Sequence, residues 1–303
     1  MDIALQTTWG WEIATYLFLG GLAAGTLCVA SIINLTTKDK FKNTVSFSAW
    51  AGAVFLIMGV FFLLLEVGVP FRAIILYQSF VNFESWMMVG AWLLVLGIVI
   101  YIVYALSCTD WVTNRLRFLS VWRTPLAVIA VMVSLGIAIY TGLLLSVLYA
   151  VPLWNTLFLP ALFTVSALDT GVAFVSGYAM LRESKLENEI AGIKKSLELS
   201  TIVLVILEVI VLASYLGTIS SLGGVATSSV EILTSGALSQ LFWVILIGCG
   251  LAIPLIVSII LLVRGDLASK TWGILPSLAS ALCIAGGLTL RFLILFAGLP
   301  IYT

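Results

Sequence analysis

The chain has 303 residues, 62% of them hydrophobic and 9% charged, and its 14 basic and 14 acidic side chains cancel. A soluble domain carries about a quarter charged residues, so this composition is that of an integral membrane protein. The zero balance and the lack of a basic cluster exclude a nucleic-acid surface.

Histidine is absent altogether, which excludes a membrane cytochrome b holding haem through that residue. The commonest ligand for zinc, copper and non-haem iron is missing with it. Cys28, Cys108, Cys249 and Cys283 stand singly, with no C-x-x-C. Neither an iron–sulfur cluster nor a metal site is therefore expected in this protein. The cysteines read as small apolar residues facing lipid or core, and any redox chemistry must take its electrons from elsewhere.

Eight apolar segments are predicted, each near the ~20 residues that a bilayer needs. They lie at 12–35, 45–69, 85–108, 124–149, 155–181, 200–222, 240–263 and 273–298. The expected fold is all-α, a single membrane domain over 1–303 with its eight spans in two four-helix bundles. Met1–Thr8 carries no basic stretch, so the first span is expected to stay in the mature protein. That span opens with Trp9 and Trp11, rings suited to a membrane interface. Gly21-x-x-x-Gly25 follows as a seam for close helix approach. Glu12 and Tyr16 are four residues apart and share one face at the head of the helix, bordering a pocket for a lipid-soluble molecule.

The connections alternate in character. Residues 36–44, 109–123, 182–199 and 264–272 hold twelve of the fourteen basic residues, all on one side of the predicted topology. The positive-inside rule makes that side cytoplasmic and puts both termini outside. Segment 182–199 alternates acids and bases and reads as a solvated helix end. Residues 70–84 are mixed and fit the interface. Residues 150–154 make a tight turn with Trp154, and 223–239 are small and polar with Glu231. No outer connection is long enough for a domain.

Ionisable residues within spans are costly and point to function by default. They are Glu66, Asp169, Glu208 and Arg291, with Glu12 and Glu84 at the interface. At 1.5 Å per residue, Glu12, Tyr16, Glu66, Tyr140 and Arg291 fall in the outer half, and Asp169 and Glu208 in the inner half. That order suits an outer polar pocket joined to a proton path. Each residue also has a structural reading. Arg291 could be packing glue, Glu66 a rim partner of Arg72, Asp169 and Glu208 interhelical hydrogen-bonding groups, and the tyrosines ordinary core.

Several segments together resemble the NrfD/PsrC family, the membrane subunits of polysulfide reductase and related iron–sulfur molybdoenzymes. They are Trp9-x-Trp11 before Gly20-Gly21-Leu22-Ala23-Ala24-Gly25, Leu65-Glu66 before Phe71-Arg72, and Trp86 to Trp92. Tyr140-x-Gly142, Pro152-Leu153-Trp154-Asn155, Ala285 to Arg291 and Phe296-Ala297-Gly298 complete the set. The resemblance implies a cofactor-free anchor in the cell inner (cytoplasmic) membrane that binds a quinone, menaquinone or ubiquinone, near the outer face. An iron–sulfur electron-transfer subunit is expected to dock there, with a molybdopterin catalytic subunit beyond it. By this likeness Glu66, Tyr140 and the Tyr16 position border the quinone or its proton route. Tyr16 and Ile13 stand where the polysulfide reductase subunit has histidine and asparagine. Glu12 and Arg291 join the expected quinone site, and Glu66, Asp169 and Glu208 the proton route. A secondary transporter and a passive anchor without quinone remain open as alternatives.

Overall fold

A computed structural model describes residues 9–37, 40–66, 86–182, 187–264 and 274–301. Among them every regular element is a helix: α1 (Trp11–Thr37), α2 (Lys42–Glu66), α3 (Trp86–Ser107), α4 (Asp110–Arg115), α5 (Arg117–Ser146) and α6 (Phe158–Arg182). There follow α7 (Glu187–Ser221), α8 (Gly224–Thr234), a π-wound segment (Leu241–Ala252) continued by α9 (Ile253–Arg264), and α10 (Ile274–Phe296). Eight of the described helices are long and apolar enough to cross a membrane. The expected interfacial segment 70–84, with Arg72 and Glu84, lies outside the described residues.

Two expectations change. The stretch 223–239 contains a helix, α8, entered through Gly223 and Gly224 at φ 74° and 56°. Only glycine adopts that left-handed backbone without strain. The Ser229 hydroxyl of α8 then accepts a hydrogen bond from the Leu299 amide at 3.4 Å, tying the helix to the segment after α10. Segment 182–199 is a helix end only part of which faces solvent, since Leu197 and Glu198 are buried while Leu199 is exposed. From Glu187 it forms the first turns of α7, a continuous 35-residue helix.

Aromatic and backbone contacts define one end of the bundle. Trp9 stacks on Trp154 with centroids 5.3 Å apart. The Trp154 indole N–H donates to the Ile294 carbonyl at 2.8 Å, and the Ile301 amide to the Ala150 carbonyl at 2.9 Å. The head of α1, the α5–α6 turn and the tail of α10 therefore meet at a termini end. At the opposite, basic end Lys42 approaches Asp110 at 3.9 Å. Exposed as it is, that pair contributes about 1 kcal/mol or less.

The helix α1 is central, packing on α2, α5, α6 and α10. Large apolar side chains such as Phe61, Met87, Val99, Val203, Ile210 and Val244 face outward. In water such a surface would drive aggregation. In a bilayer it is the expected exterior, because helices satisfy their own backbone.

The glycine seam of α1 meets α6. A Cβ on Gly171 would lie 2.5 Å from the Gly25 Cα, and one on Gly25 would overlap the Ala167 carbonyl oxygen. Backbone atoms are not free to swing aside, so Gly25→Ala must push α1 and α6 apart. Overpacking of this kind costs about 1–3 kcal/mol. Gly25→Ala should therefore lower the melting temperature in detergent. Gly217→Ala, where nothing lies within 4 Å, should hold or raise it.

Candidate functional site

Arg291 is the largest fully buried side chain among the described residues, at 0% exposure. Helical side chains lean toward the helix N-terminus, so its guanidinium drops one turn down α10, toward mid-bundle. There Nη1 donates to the Gly287 carbonyl at 3.0 Å and to the Ser166 hydroxyl at 2.5 Å. Nη2 donates to the Phe163 carbonyl at 3.2 Å, and the Phe163 ring lies 5.1 Å from Cζ. Room for this group comes from a missing side chain on α1. A Cβ on Gly21 would stand 3.2 Å from Nη2.

Two carboxylates complete the cluster. Glu208 of α7, 2% exposed, hydrogen-bonds Ser166 and interacts electrostatically with both Arg291 and Asp169. Asp169 of α6, 1% exposed, accepts the Cys283 thiol at 3.0 Å on Oδ2. Its Oδ1 and the Arg291 Nε have no partner and are buried. Two acids thus face one base, and a single proton shared between the acids makes the cluster neutral.

Nearer the termini end a second group gathers around the head of α1. The Gly10 amide donates to Glu66 Oε1 at 3.5 Å. A Cβ on Gly10 would collide with Glu12 and lie 3.3 Å from Glu66 Oε2, so the two half-buried carboxylates are neighbours. One turn deeper, Tyr16 is 0% exposed and its hydroxyl has no partner. Tyr140 of α5 lies close enough to Tyr16 to interact with it electrostatically. Gly90 of α3 gives the Tyr140 ring its place, since a Cβ there would overlap it.

The structure redraws the expected grouping. Arg291 sits with Ser166, Asp169 and Glu208, not with Glu66. Depth counted along the backbone placed its Cα in the outer half, but its side chain reaches inward. Tyr16 and Tyr140 are brought together, as are Glu12 and Glu66. The cysteines were read as inert, yet Cys283 is a donor to Asp169. Ser166 links Arg291 to Glu208.

Glu198 was missed within the supposedly solvated segment, and it is 4% exposed. Its signal was periodic. Glu198, Thr201, Val205, Glu208, Leu212, Tyr215 and Ile219 are all buried, and their alternating spacing of three and four marks one face of α7. That face carries both buried carboxylates among the described side chains of the helix.

An eight-span helical membrane protein with paired interior carboxylates, a buried arginine and an unpartnered tyrosine is the class defined so far. The family described as "Polysulphide reductase, NrfD" matches residues 3–302, and the protein belongs to it. Among its relatives is the C subunit of polysulfide reductase from Wolinella succinogenes, 28% identical over 96% of this sequence and 94% of that one. Protein NrfD of Escherichia coli is 26% identical, again over 96% of this sequence and 94% of its own.

Ser166 carries two of the cluster's links, so Ser166→Ala should leave Arg291 and Glu208 each short of a buried hydrogen bond. A buried polar group left unpaired costs about 1–3 kcal/mol. A melting temperature in detergent unchanged from wild type would contradict this arrangement.

Proposed function

We propose that this protein is the quinone-binding membrane subunit of a respiratory oxidoreductase complex. It exchanges electrons between a membrane quinone and an iron–sulfur subunit docked at the termini end, with a molybdopterin catalytic subunit beyond. Family membership supports the class, and one relative's name makes it part of a polysulfide reductase. The observation that carries the quinone reading is the Tyr16 hydroxyl, fully buried, without a partner, and beside Tyr140. A buried hydroxyl left unpaired is expensive, and a quinone carbonyl is an acceptor that suits it. Such a carrier, when bound, exchanges two electrons and two protons per cycle.

The residues then divide the work. Tyr16 and Tyr140 hold and orient the head group by donating from their hydroxyls. Glu66, half-buried beside Glu12, accepts or returns a proton at its carboxylate. The apolar walls of α1, α2 and α5 keep water from the bound ring. Asp169 and Glu208 pass protons between the quinone site and the basic end, and Arg291 holds one of them ionised. By the positive-inside rule the basic end faces the cytoplasm and both termini face outward. The spans read as two four-helix bundles, α1, α2, α3 and α5 against α6, α7, α10 and the paired π segment and α9, on the pairs that pack. Co-purification of iron–sulfur and molybdenum subunits tests the assembly and excludes a transporter. Stoichiometric extractable quinone excludes a passive anchor.

Two sets of variants test the roles. In the assembled complex, Glu66→Gln should lower quinone-linked turnover about a hundredfold, the size of a lost proton-transfer group. Tyr16→Phe should raise the KM for quinone about fivefold, the size of a lost hydrogen bond of about 1 kcal/mol. Wild-type turnover in Glu66→Gln would remove that residue from the site. Asp169→Asn and Glu208→Gln should slow proton uptake by reconstituted complex while leaving the KM for quinone near wild type. A raised KM with unchanged uptake would assign both to quinone binding instead.

A further inference from the structure

The face of α7 that carries Glu208 also carries Glu198, ten residues and so roughly 15 Å nearer the basic end. Glu198 lines a cavity of about 20 Å³ between α6, α7, α9 and α10, with Ser176, Thr201, Ser258, Ser280 and Cys283. That volume holds about one water, and the lining supplies more than the two to four polar partners a buried water needs. Glu198 is hydrogen-bonded to Ser258 and feels Lys194, one turn nearer the basic end. At the cavity's other side Cys283 donates to Asp169 Oδ2 at 3.0 Å. Cys283 thus belongs to both the cavity and the charge cluster. The Asp169 Oδ1, buried and without a partner, is the cluster's open acceptor.

Packing alone does not account for this wall. A carboxylate, three serines and a threonine line one small cavity, where each costs burial energy unless satisfied. With Lys194 beside Glu198 at one side and Cys283 bonded to Asp169 at the other, they link the basic end to the charge cluster.

We propose that Glu198 and this hydroxyl-lined cavity are the mouth of a proton path from the basic end to Asp169 and Glu208. The proposal rests on the reading that those two carboxylates carry protons, and it adds their source. A proton taken up by the Glu198 carboxylate passes to water in the cavity. That water gives one to the Cys283 sulfur as the thiol releases its own to Asp169. One O–H bond of the protonated water and one S–H bond break, one S–H bond and one O–H bond form, and no electron moves. Glu198 and Cys283 act on the cluster without touching any electron carrier.

The path can be tested apart from quinone chemistry by infrared spectroscopy of the purified complex transferred into D2O. The carboxyl C=O band removed by Asp169→Asn or Glu208→Gln should shift on deuteration. Glu198→Gln and Cys283→Ala should each slow that shift roughly tenfold or more, as loss of a proton-relay group does. Glu198→Asp and Cys283→Ser, which keep a proton-carrying atom in place, should restore most of the rate. Wild-type exchange in either Glu198→Gln or Cys283→Ala, or no band that the cluster variants remove, would overturn the proposal. A wild-type complex that exchanges normally but turns over no quinone would instead sink the quinone reading and leave the path standing.

Discussion

A guanidinium with no exposed surface, inside a bundle whose outer surface is apolar, constrains everything around it. Arg291 cannot shed its charge by losing a proton under ordinary conditions, so the protein must solvate it with its own atoms. It does so with two backbone carbonyls, one serine, an aromatic face and a nearby carboxylate. The contributions come from three helices, and each fixes the position of the helix that supplies it. Phe163 and Ser166 fix α6, Glu208 fixes α7, and Gly287 fixes the turn of α10 that carries the arginine. Glu208 reaches the guanidinium through Ser166, which bonds both.

The glycines serve the same requirement. Gly21 leaves room for the guanidinium, and one turn further Gly25 lets α1 touch the α6 backbone at Ala167 and Gly171. Across the bundle Gly250 and Gly286 bring the π segment and α10 equally close. Dispersion between backbones at such distances replaces the hydrophobic drive that is weak in lipid. The small-residue run 20–25 therefore serves both packing and electrostatics, which explains its density in a helix that is otherwise large and apolar.

Much of the architecture could be read in the sequence because the bilayer imposes length and composition on every span. The eight spans, the central seam of α1 and the small set of interior charges needed no tertiary information. The grouping of those charges did. Depth along a helix gives the height of a Cα, whereas Arg291 acts a full turn away from its own. Helix start points misled in the same way. Beginning the sixth span at residue 200 hid Glu198, since its polar neighbours Lys194, Lys195 and Ser196 outweigh the periodicity that turns it inward. The thiol of Cys283 could not be assigned either, because its partner lies 114 residues away on another helix.

The two polar groups lie on one helix, and that has an energetic consequence. Tyr16 and Gly21 are separated by a rise of about 7.5 Å along α1, so the termini-end group and the Arg291 cluster are near neighbours across dry protein. A unit charge placed ~10 Å from another interacts by about 1.7 kcal/mol at an effective dielectric of 20. That is more than a tenfold change in an equilibrium constant. A negative charge gained beside Tyr16 therefore favours a proton arriving at Asp169 or Glu208, and a proton already there favours that negative charge. No moving part is required for this coupling. It follows from placing a titratable cluster within Coulombic range of the first turns of α1, among buried side chains such as Leu17.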